Sequence, residues 1–396
     1  MKKFLLILLS VIVLSGCTQK EQTKVVSFWT LQMGDFAPYI NQIIDKYESE
    51  HKDIKIKWID VPFSEGEKRT LAAVMTDCPP DLINLNPDFS AILAQKGTLA
   101  EIPESKLSTF NSEIVKALSY KGKIYSIPWY ATSAITIYNK DLLKKAGINS
   151  VPKTYNELYK ISKQIKTKTG VYSYLPTITE NDTMVKILNK YGVYEPSEYN
   201  NVASQNILNM FKTMYQEGLI PKETITITHR EALEQYMSGK IVFYQGGANF
   251  LNMIKENAPK IYSQTDVSEQ IKGKIGQNDF SVMNFVIPVK AQYKEEALDF
   301  CLFLTNEENQ LKLAKMTNII STNSNALKDS FYNDYSDLTS KARSISAKQI
   351  EKVYPQLRQR QGQKEINLLV NTAVQSILLD KSPTDKILNE LVNKLN

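Results

Sequence analysis

The stretch KGKIYSIPWYATSAITIYNKDLLKKAGI, followed by PKTYNEL (residues 121–158), constrains the fold more than any other part of this chain. Ile124, Ser126 and Pro128 alternate with Tyr125, Ile127 and Trp129, and a second β-rich run, 134–138, follows almost at once. Two strand runs this close, with the aromatic pair Trp129 and Tyr130 between them, mark a crossing rather than a compact turn. After Tyr138, Asn139 can cap a short helix with apolar positions Leu142, Leu143 and Ala146, and Gly147 supplies a left-handed stop. Thr154 and Glu157 then stand at capping-box spacing, so another helix begins.

The order of elements before this point is β–α. Residues 25–30 (VVSFWT) form a buried-strand run, and Ile40, Ile43, Ile44 and Tyr47 recur on one helix face. Ile54, Ile56 and Trp58 alternate with lysines in a second strand, with Trp58 assigned to the core. A helix through 71–75 and a strand at 81–85 follow. Strands separated by helices predict a parallel α/β sheet, and in such sheets ligands bind beyond the carboxyl ends of strands. That rule selects Trp29 and Thr30, Asn86 and Asp88, and Trp129 and Tyr130 as candidate contacts.

Further along, EALEQYMSGKIVFYQGGANF (231–250) reads as a helix ended by Gly239, then a strand 241–244 running into Gly246, Gly247, Ala248 and Asn249. Paired glycines after a strand let backbone approach a ligand or open a helix. A strand is expected at 285–289, a helix at 295–304, and a second helix opened by a Thr305/Glu308 capping box. Ile366, Leu369, Val370, Ala373 and Ile377 share one face of a late helix, and Ser382 and Pro383 introduce a last one.

The four spaced elements of 121–158 resemble the extracellular solute-binding proteins of ABC importers, in particular the sugar-binding, maltose-binding-protein-like group. Members carry a "dGkiYgiP" strand, an aromatic-bearing crossing, "YNKdl…aG" and "P.TydEl" in this order. The 231–250 stretch is similar to a further family element, with Asn249 and Phe250 where a tryptophan is common. Ser281, Met283 and Asn284 stand where the family often has a glycine pair. The resemblance implies a two-lobed α/β periplasmic-binding-protein fold with discontinuous lobes, 25–131 plus 282–325 and 132–281 plus 326–396, around a hinge near 131–135 and a central ligand cleft.

The front of the chain bears on location. Met1-Lys2-Lys3 is a positive n-region, and 4–14 is an apolar run well short of the ~20 residues that span a bilayer as a helix. Leu14-Ser15-Gly16-Cys17 is similar to a bacterial lipobox, which implies a signal peptide 1–16, cleavage before Cys17, and a diacylglycerol on its sulfur. Residues 17–24 would be the lipidated cysteine and a short polar tether to the membrane lipid.

Composition excludes several classes. The net charge of +6 is spread thinly, without the basic block that nucleic-acid binding needs. His51 and His229 are the two histidines, so a histidine-rich metal site is excluded, and His229 reads as a surface residue. No HExxH, Gly-x-Ser-x-Gly or phosphate-loop motif occurs, and no cofactor is implied. Cys78 and Cys301 leave a disulfide open, with simple packing the competing role for Cys301.

A sugar presents hydroxyls and apolar C–H patches, so its binder needs aromatic faces interleaved with planar hydrogen-bonding groups. Trp29, Trp129, Tyr130 and Tyr244 are the stacking candidates. Thr30, Asp88, Gly247, Asn249 and Asn284 are the polar or close-approach candidates. Core packing competes for Trp29 and Tyr244, and a helix-cap role competes for Asp88. Tyr172, Tyr174, Asp182, Arg230, Tyr354 and Arg358 are secondary candidates, most of them expected to be surface; Arg358 with Arg360 would suit an anion. The expected function is a non-catalytic, monomeric, lipid-anchored substrate-binding subunit that delivers a sugar to an ABC permease. A secreted glycosidase, needing two suitably spaced carboxylates, and a sensory lipoprotein of the same fold are the alternatives.

Overall fold

The computed structural model describes residues 23–179, 182–276, 278–317, 319–350, 362–380 and 382–395. The expected signal peptide, Cys17, and Tyr354, Arg358 and Arg360 lie outside these residues. The strands are β1 (Lys24–Leu31), β2 (Ile54–Val61), β3 (Leu82–Leu85), β4 (Ser119–Tyr120), β5 (Lys123–Ile124), β6 (Ile127–Asn139), β7 (Tyr172–Tyr174), β8 (Ile241–Gly247), β9 (Thr265–Glu269), β10 (Phe280–Val286) and β11 (Ile320–Ser321).

The two β-rich runs of 121–138 join into one long strand, β6, and the sheet is organised around it. In the order β2-β1-β3-β10-β6-β8-β7, β1 is parallel to β2 and β3, as the β–α alternation predicts. β10 runs antiparallel to both β3 and β6, so the sheet is mixed. The first half of β6 pairs with β10 as far as Ser133, and the second half pairs with β8 and β9 from Ala134 or Ile135 onward. One strand therefore serves two bodies of structure. Phe28, Leu82, Trp129 and Phe285 belong to one apolar core, lobe I, with the helices 37–50 and 294–304 packed on it. Leu158, Phe211, Phe243 and Val374 belong to another, lobe II, built by the helices 155–169, 202–216 and 363–379.

Local signals set the element ends. Asn139 accepts hydrogen bonds from the backbone of Asp141 and Leu142 and so caps the short helix, and Gly147 adopts φ 73° beyond it. Thr154 caps the helix Tyr155–Thr169. Two expectations shift. The strand placed at 285–289 lies at 280–286, and the helix at 307–317 is capped by the Asn306 side chain on Asn309 N, while the Thr305 hydroxyl bonds back to Cys301 O. Cys301 is buried and Cys78 exposed, and both are free thiols.

Trp129 is the main correction. It is fully enclosed in lobe I, its ring stacked on Phe285 at 4.5 Å between centroids, and it does not face a ligand. Strand alternation sends Trp129 and Tyr130 to opposite sides, and Trp129 takes the inner one. Thr30 is also enclosed, its hydroxyl donating to Asp60 and accepting from Trp58 Nε1, and Asn284 is enclosed with its amide on Ser90.

Truncating so large an enclosed side chain leaves a cavity. Trp129→Ala is expected to cost about 3–5 kcal/mol of stability. Thermal or urea unfolding checks this, and a loss under about 1 kcal/mol would mean that the ring is not a core element.

Candidate functional site

A cavity of about 480 Å³ opens where β6 passes from lobe I to lobe II. Its floor is the crossing itself, Thr132, Ser133 and Ala134 of β6 with Asp279, Phe280 and Ser281 at the start of β10. The remaining wall comes from lobe II. β8 and the turn after it bring Tyr244, Gln245, Gly247 and Asn249, and the helix Phe250–Asn257 begins with Phe250 at the wall. The first glycine of the pair is needed for steric reasons, because a Cβ on Gly246 would sit 2.5 Å from the Tyr244 ring and also crowd Phe250.

Three helix starts complete the wall. Tyr155 is the first residue of its helix, and Asp182, Thr183 and Lys186 come from the first turn of the helix Thr183–Asn189. His229 opens the helix His229–Met237, fixed by a capping box between Thr228 and Glu231.

The charges in the wall are paired. Lys186 Nζ lies 2.9 Å from Asp182 Oδ2. Burial alone would lower the pKa of this lysine, but Asp182, Asp279 and Asp88 hold it above its ordinary value. Asp279 Oδ2 lies 2.8 Å from the ammonium of Lys190, which is only 1% exposed and also donates to Gln270 Oε1 and Ile271 O. Burial pushes the Lys190 pKa down and the Asp279 charge opposes this. Burial also pushes the hydroxyls of Tyr155, Tyr174 and Tyr244 well above the usual tyrosine range, so they are donors at any physiological pH.

Of the residues expected from sequence, Tyr244, Gly247 and Asn249 come together in the wall. Tyr174 and Asp182, expected to be surface, join them. Trp29, Asp88 and Tyr130 belong to lobe I and do not line the cavity. Trp29 is half-buried beneath the Arg69 guanidinium at 5.8 Å, and Tyr130 is half-buried with its hydroxyl on Met33 Sδ. Asn86, not Asp88, caps its helix by accepting from Phe89 N. The Asp88 side chain is exposed, yet surrounding protein raises its pKa. The charges of Asp182 and Glu67 raise it further, and Lys186 opposes. Tyr172 carries Lys166 over its ring, and Arg230 is exposed; neither lines the cavity.

Tyr155, Lys186, Gln245 and Asp279 were not legible as site residues. The Asp182/Lys186 pair carried an i,i+4 spacing that could have been noticed. Asp279 carried no local signal, because Lys190 is remote in sequence.

His229 also departs from the surface role. It is half-buried, and its Nε2 lies 2.7 Å from the Tyr244 hydroxyl. Burial, and secondarily Lys186, lower its pKa while Asp182 opposes, which favours the neutral ring in its hydrogen bond with the tyrosine. An unfolded histidine titrates near 6.5, so below about that pH the unfolded chain binds a proton that folded His229 refuses. Stability is then lost as pH falls, until the lower folded pKa is also passed. Between about pH 7.5 and 5.5 the wild type is expected to lose more melting temperature than His229→Gln; equal losses would refute this.

The whole cavity wall lies within residues 42–340, which match the family model described as bacterial extracellular solute-binding protein. The arabinooligosaccharide-binding protein of Bacillus subtilis is 22% identical over 347 residues, covering 78% of this chain and 76% of that one. The multiple sugar-binding protein of Streptococcus mutans is 23% identical over 317 residues, 74% and 73% of the two chains. In fold, a periplasmic-binding protein from Synechococcus sp. MITs9220 superposes with a TM-score of 0.85 at 26% identity over 94% of this chain and 98% of that chain. The sugar-binding protein MalE of Xanthomonas citri superposes with a TM-score of 0.80 at 20% identity, covering 94% and 96%. With a cleft between two lobes, a wall of aromatic and hydrogen-bonding groups, and a family match over most of its length, this chain belongs to the bacterial extracellular solute-binding proteins.

Proposed function

We propose that this protein is the substrate-binding subunit of an ABC importer, capturing a sugar or short oligosaccharide and delivering it to a permease. The observation that carries the reading is the cavity at the crossing of β6. Its volume of about 480 Å³ falls within the usual range for small-molecule sites. Its wall alternates rings with hydroxyl, amide and carboxylate groups, the mixture a pyranose or furanose needs. The names of the relatives, binders of arabinooligosaccharides and of multiple sugars, support the same class.

The protein acts by binding rather than turnover. Asp182 and Asp279 are each paired with a lysine, an arrangement that does not offer the proton donor a glycosidase needs. Diacylglycerol on Cys17 would hold the protein at the extracytoplasmic face of the membrane, periplasmic or cell-surface, beside its permease. Among the described residues no helix is long and apolar enough to cross a membrane. The protein works as a monomer.

Phe250 is the aromatic platform of lobe II. It is half-buried at the wall, edge-on to Tyr244 at 5.8 Å and to His229 at 5.6 Å, so its orientation is fixed from behind. A thermal-shift screen against mono- and oligosaccharides, polyols, glycerol phosphates, amino acids and polyamines tests the function. A ligand at 100 times its Kd adds ~2.7 kcal/mol of stability. A sugar that stabilises and is not consumed bears the reading out, whereas slow consumption would indicate a glycosidase. With such a sugar, Phe250→Ala is expected to weaken binding by about 1–3 kcal/mol with folding intact. Unchanged affinity would remove Phe250 from the site.

A further inference from the structure

No long basic run marks the sequence, yet the fold gathers positive charge on one face of lobe II. Residues 140–168 hold eight lysines and no arginine against Asp141 and Glu157, a net +6 that equals the charge of the whole chain. They form the helices Lys140–Lys145 and Tyr155–Thr169, which lie side by side, with Gln164 Nε2 donating to Ala146 O at 2.8 Å. Leu143, Ala146, Leu158 and Ile165 of these helices pack into the lobe II core. Lys140, Lys144, Lys145, Lys160, Lys163 and Lys168 are exposed.

These six lysines form no ion pair among the described residues. Lysines elsewhere do: Lys24, Lys46, Lys55 and Lys123 meet Glu296, Glu308, Glu48 and Glu101 at 2.6 to 2.8 Å. The Glu157 carboxylate is turned to the backbone N–H of Lys153 at 2.7 Å. Helix C-termini attract cations, which accounts for Lys144, Lys145 and Lys168. It does not account for Lys140 at a helix start, nor for Lys160 and Lys163 in mid-helix. Lys140 with Lys144, and Lys160 with Lys163, stand four and three residues apart, where like charges repel.

An anionic partner would relieve this repulsion, and the chemistry of the face indicates which kind. Arginine grips a single carboxylate or phosphate with a planar fork, whereas lysine acts as a mobile point charge. A face of lysines alone, two helices wide and about 22 Å along the longer one, suits a broad field of phosphates better than one discrete ligand. Position narrows the choice. β6 runs parallel to β1, because β3 and β6 are both antiparallel to β10 and β1 is parallel to β3. β1 begins at Lys24 in lobe I and β6 ends at Asn139 in lobe II, so the start of β1 and the lysine face stand at opposite ends of the sheet.

We propose that the face formed by helices 140–145 and 155–169 docks on the anionic phospholipid headgroups of the membrane beside which the protein works. The tether at Cys17 holds the lobe I end and the lysines hold the lobe II end, so the long axis lies along the bilayer. A lipid chain and a polybasic face are complementary membrane signals. The attraction acts within about a Debye length, ~8–10 Å, and salt weakens it. The choice of a membrane as partner rests on the lipid-anchored reading and is independent of the sugar reading.

The test uses the full-length chain purified from bacterial membranes and reconstituted on phosphatidylcholine vesicles with or without phosphatidylglycerol, followed by lysine acetylation and mass spectrometry. With phosphatidylglycerol present, Lys144, Lys145, Lys160 and Lys163 are expected to react about fivefold or more slowly than on neutral vesicles. Lys57 and Lys121, exposed in lobe I, should keep their rates. Salt at about 1 M, where the Debye length is ~3 Å, should abolish the protection. A chain carrying Lys144→Gln, Lys145→Gln, Lys160→Gln and Lys163→Gln should keep its melting temperature and lose the protection of Lys140 and Lys168. The wild-type comparison stands by itself should the variant not fold. Equal acetylation on the two vesicle types, or equal slowing of every exposed lysine, overturns the proposal. Protection by soluble poly(glycerol phosphate) but not by vesicles assigns the face to an anionic polymer and also overturns it. Retention on phosphatidylcholine vesicles reports the anchor separately. A chain that leaves neutral vesicles but is held on anionic ones through these lysines removes the anchor reading and upholds the docking face.

Discussion

The architecture depends on how β6 remains hydrogen-bonded while it changes partners. Its ladder is with β10 up to Ser133 and with β8 and β9 beyond, and at such a switch some backbone groups lose their regular partners inside the protein. Side-chain amides fill in. Gln349 donates to Ala134 O at 2.9 Å and to Ser133 Oγ at 3.0 Å, and Gln270 Nε2 reaches Ala134 O at 3.2 Å. Gln349 Oε1 in turn accepts from Gln270 N. On the lobe I side Gln310 does the same for Trp129 O, while its carbonyl accepts from Thr322 N and Asn323 N. Around the crossing of β6, glutamine side chains thus supplement the ladder bonds. The result is a seam at which β6 passes from one body of structure to the other with its carbonyls still paired.

That seam explains which parts of the molecule were legible in the sequence. Elements set by near neighbours were readable. β1, the helix at 37–50, the Asn139 cap and the Gly147 stop follow from spacing and cap chemistry within a few residues. The site was readable only where it too is local, in the run from Tyr244 to Asn249. Register across β6 was not. The pairing with β10 slips between Met283 and Asn284, so that Met283 opposes Tyr130 and Asn284 opposes Pro128. A slip of one residue exchanges the faces of all that follows. Alternation showed that one of Trp129 and Tyr130 would face inward but not which, and the partner of Asn284 across the sheet is set by this irregularity, which leaves no mark in the local sequence.

Long-range polar pairing was equally illegible. Lys190 ends the short helix Thr183–Asn189, a place where a lysine is ordinarily exposed to solvent, yet it is enclosed. A lone ammonium buried this way would cost several kcal/mol, and it is tolerable because Asp279 and two carbonyl-type oxygens complete it. The pair brings together the helix that carries Lys186 and the strand entry that forms the cavity floor. Its contribution is therefore as much to the shape of the cavity as to stability, and it leaves the wall without an unpaired cation.

Ligand capture by such a molecule turns on which lobe the ligand touches. The wall described here comes from lobe II and the crossing, while Trp29, Asp88 and Tyr130 stand on the lobe I side without lining it. A ligand that met lobe II alone would bind every separation of the lobes equally and shift none of them, however tight its binding. Closure on the proposed sugar therefore requires contacts with lobe I, and Asp88 is placed to contribute, since its field already reaches Asp182 and Lys186 across the cleft. Approach of the lobes brings a carboxylate toward an ion pair of mixed sign, attractive to Lys186 and repulsive to Asp182. These two effects oppose one another, so closure on the proposed sugar would have to be driven by the hydrogen bonds of the ligand.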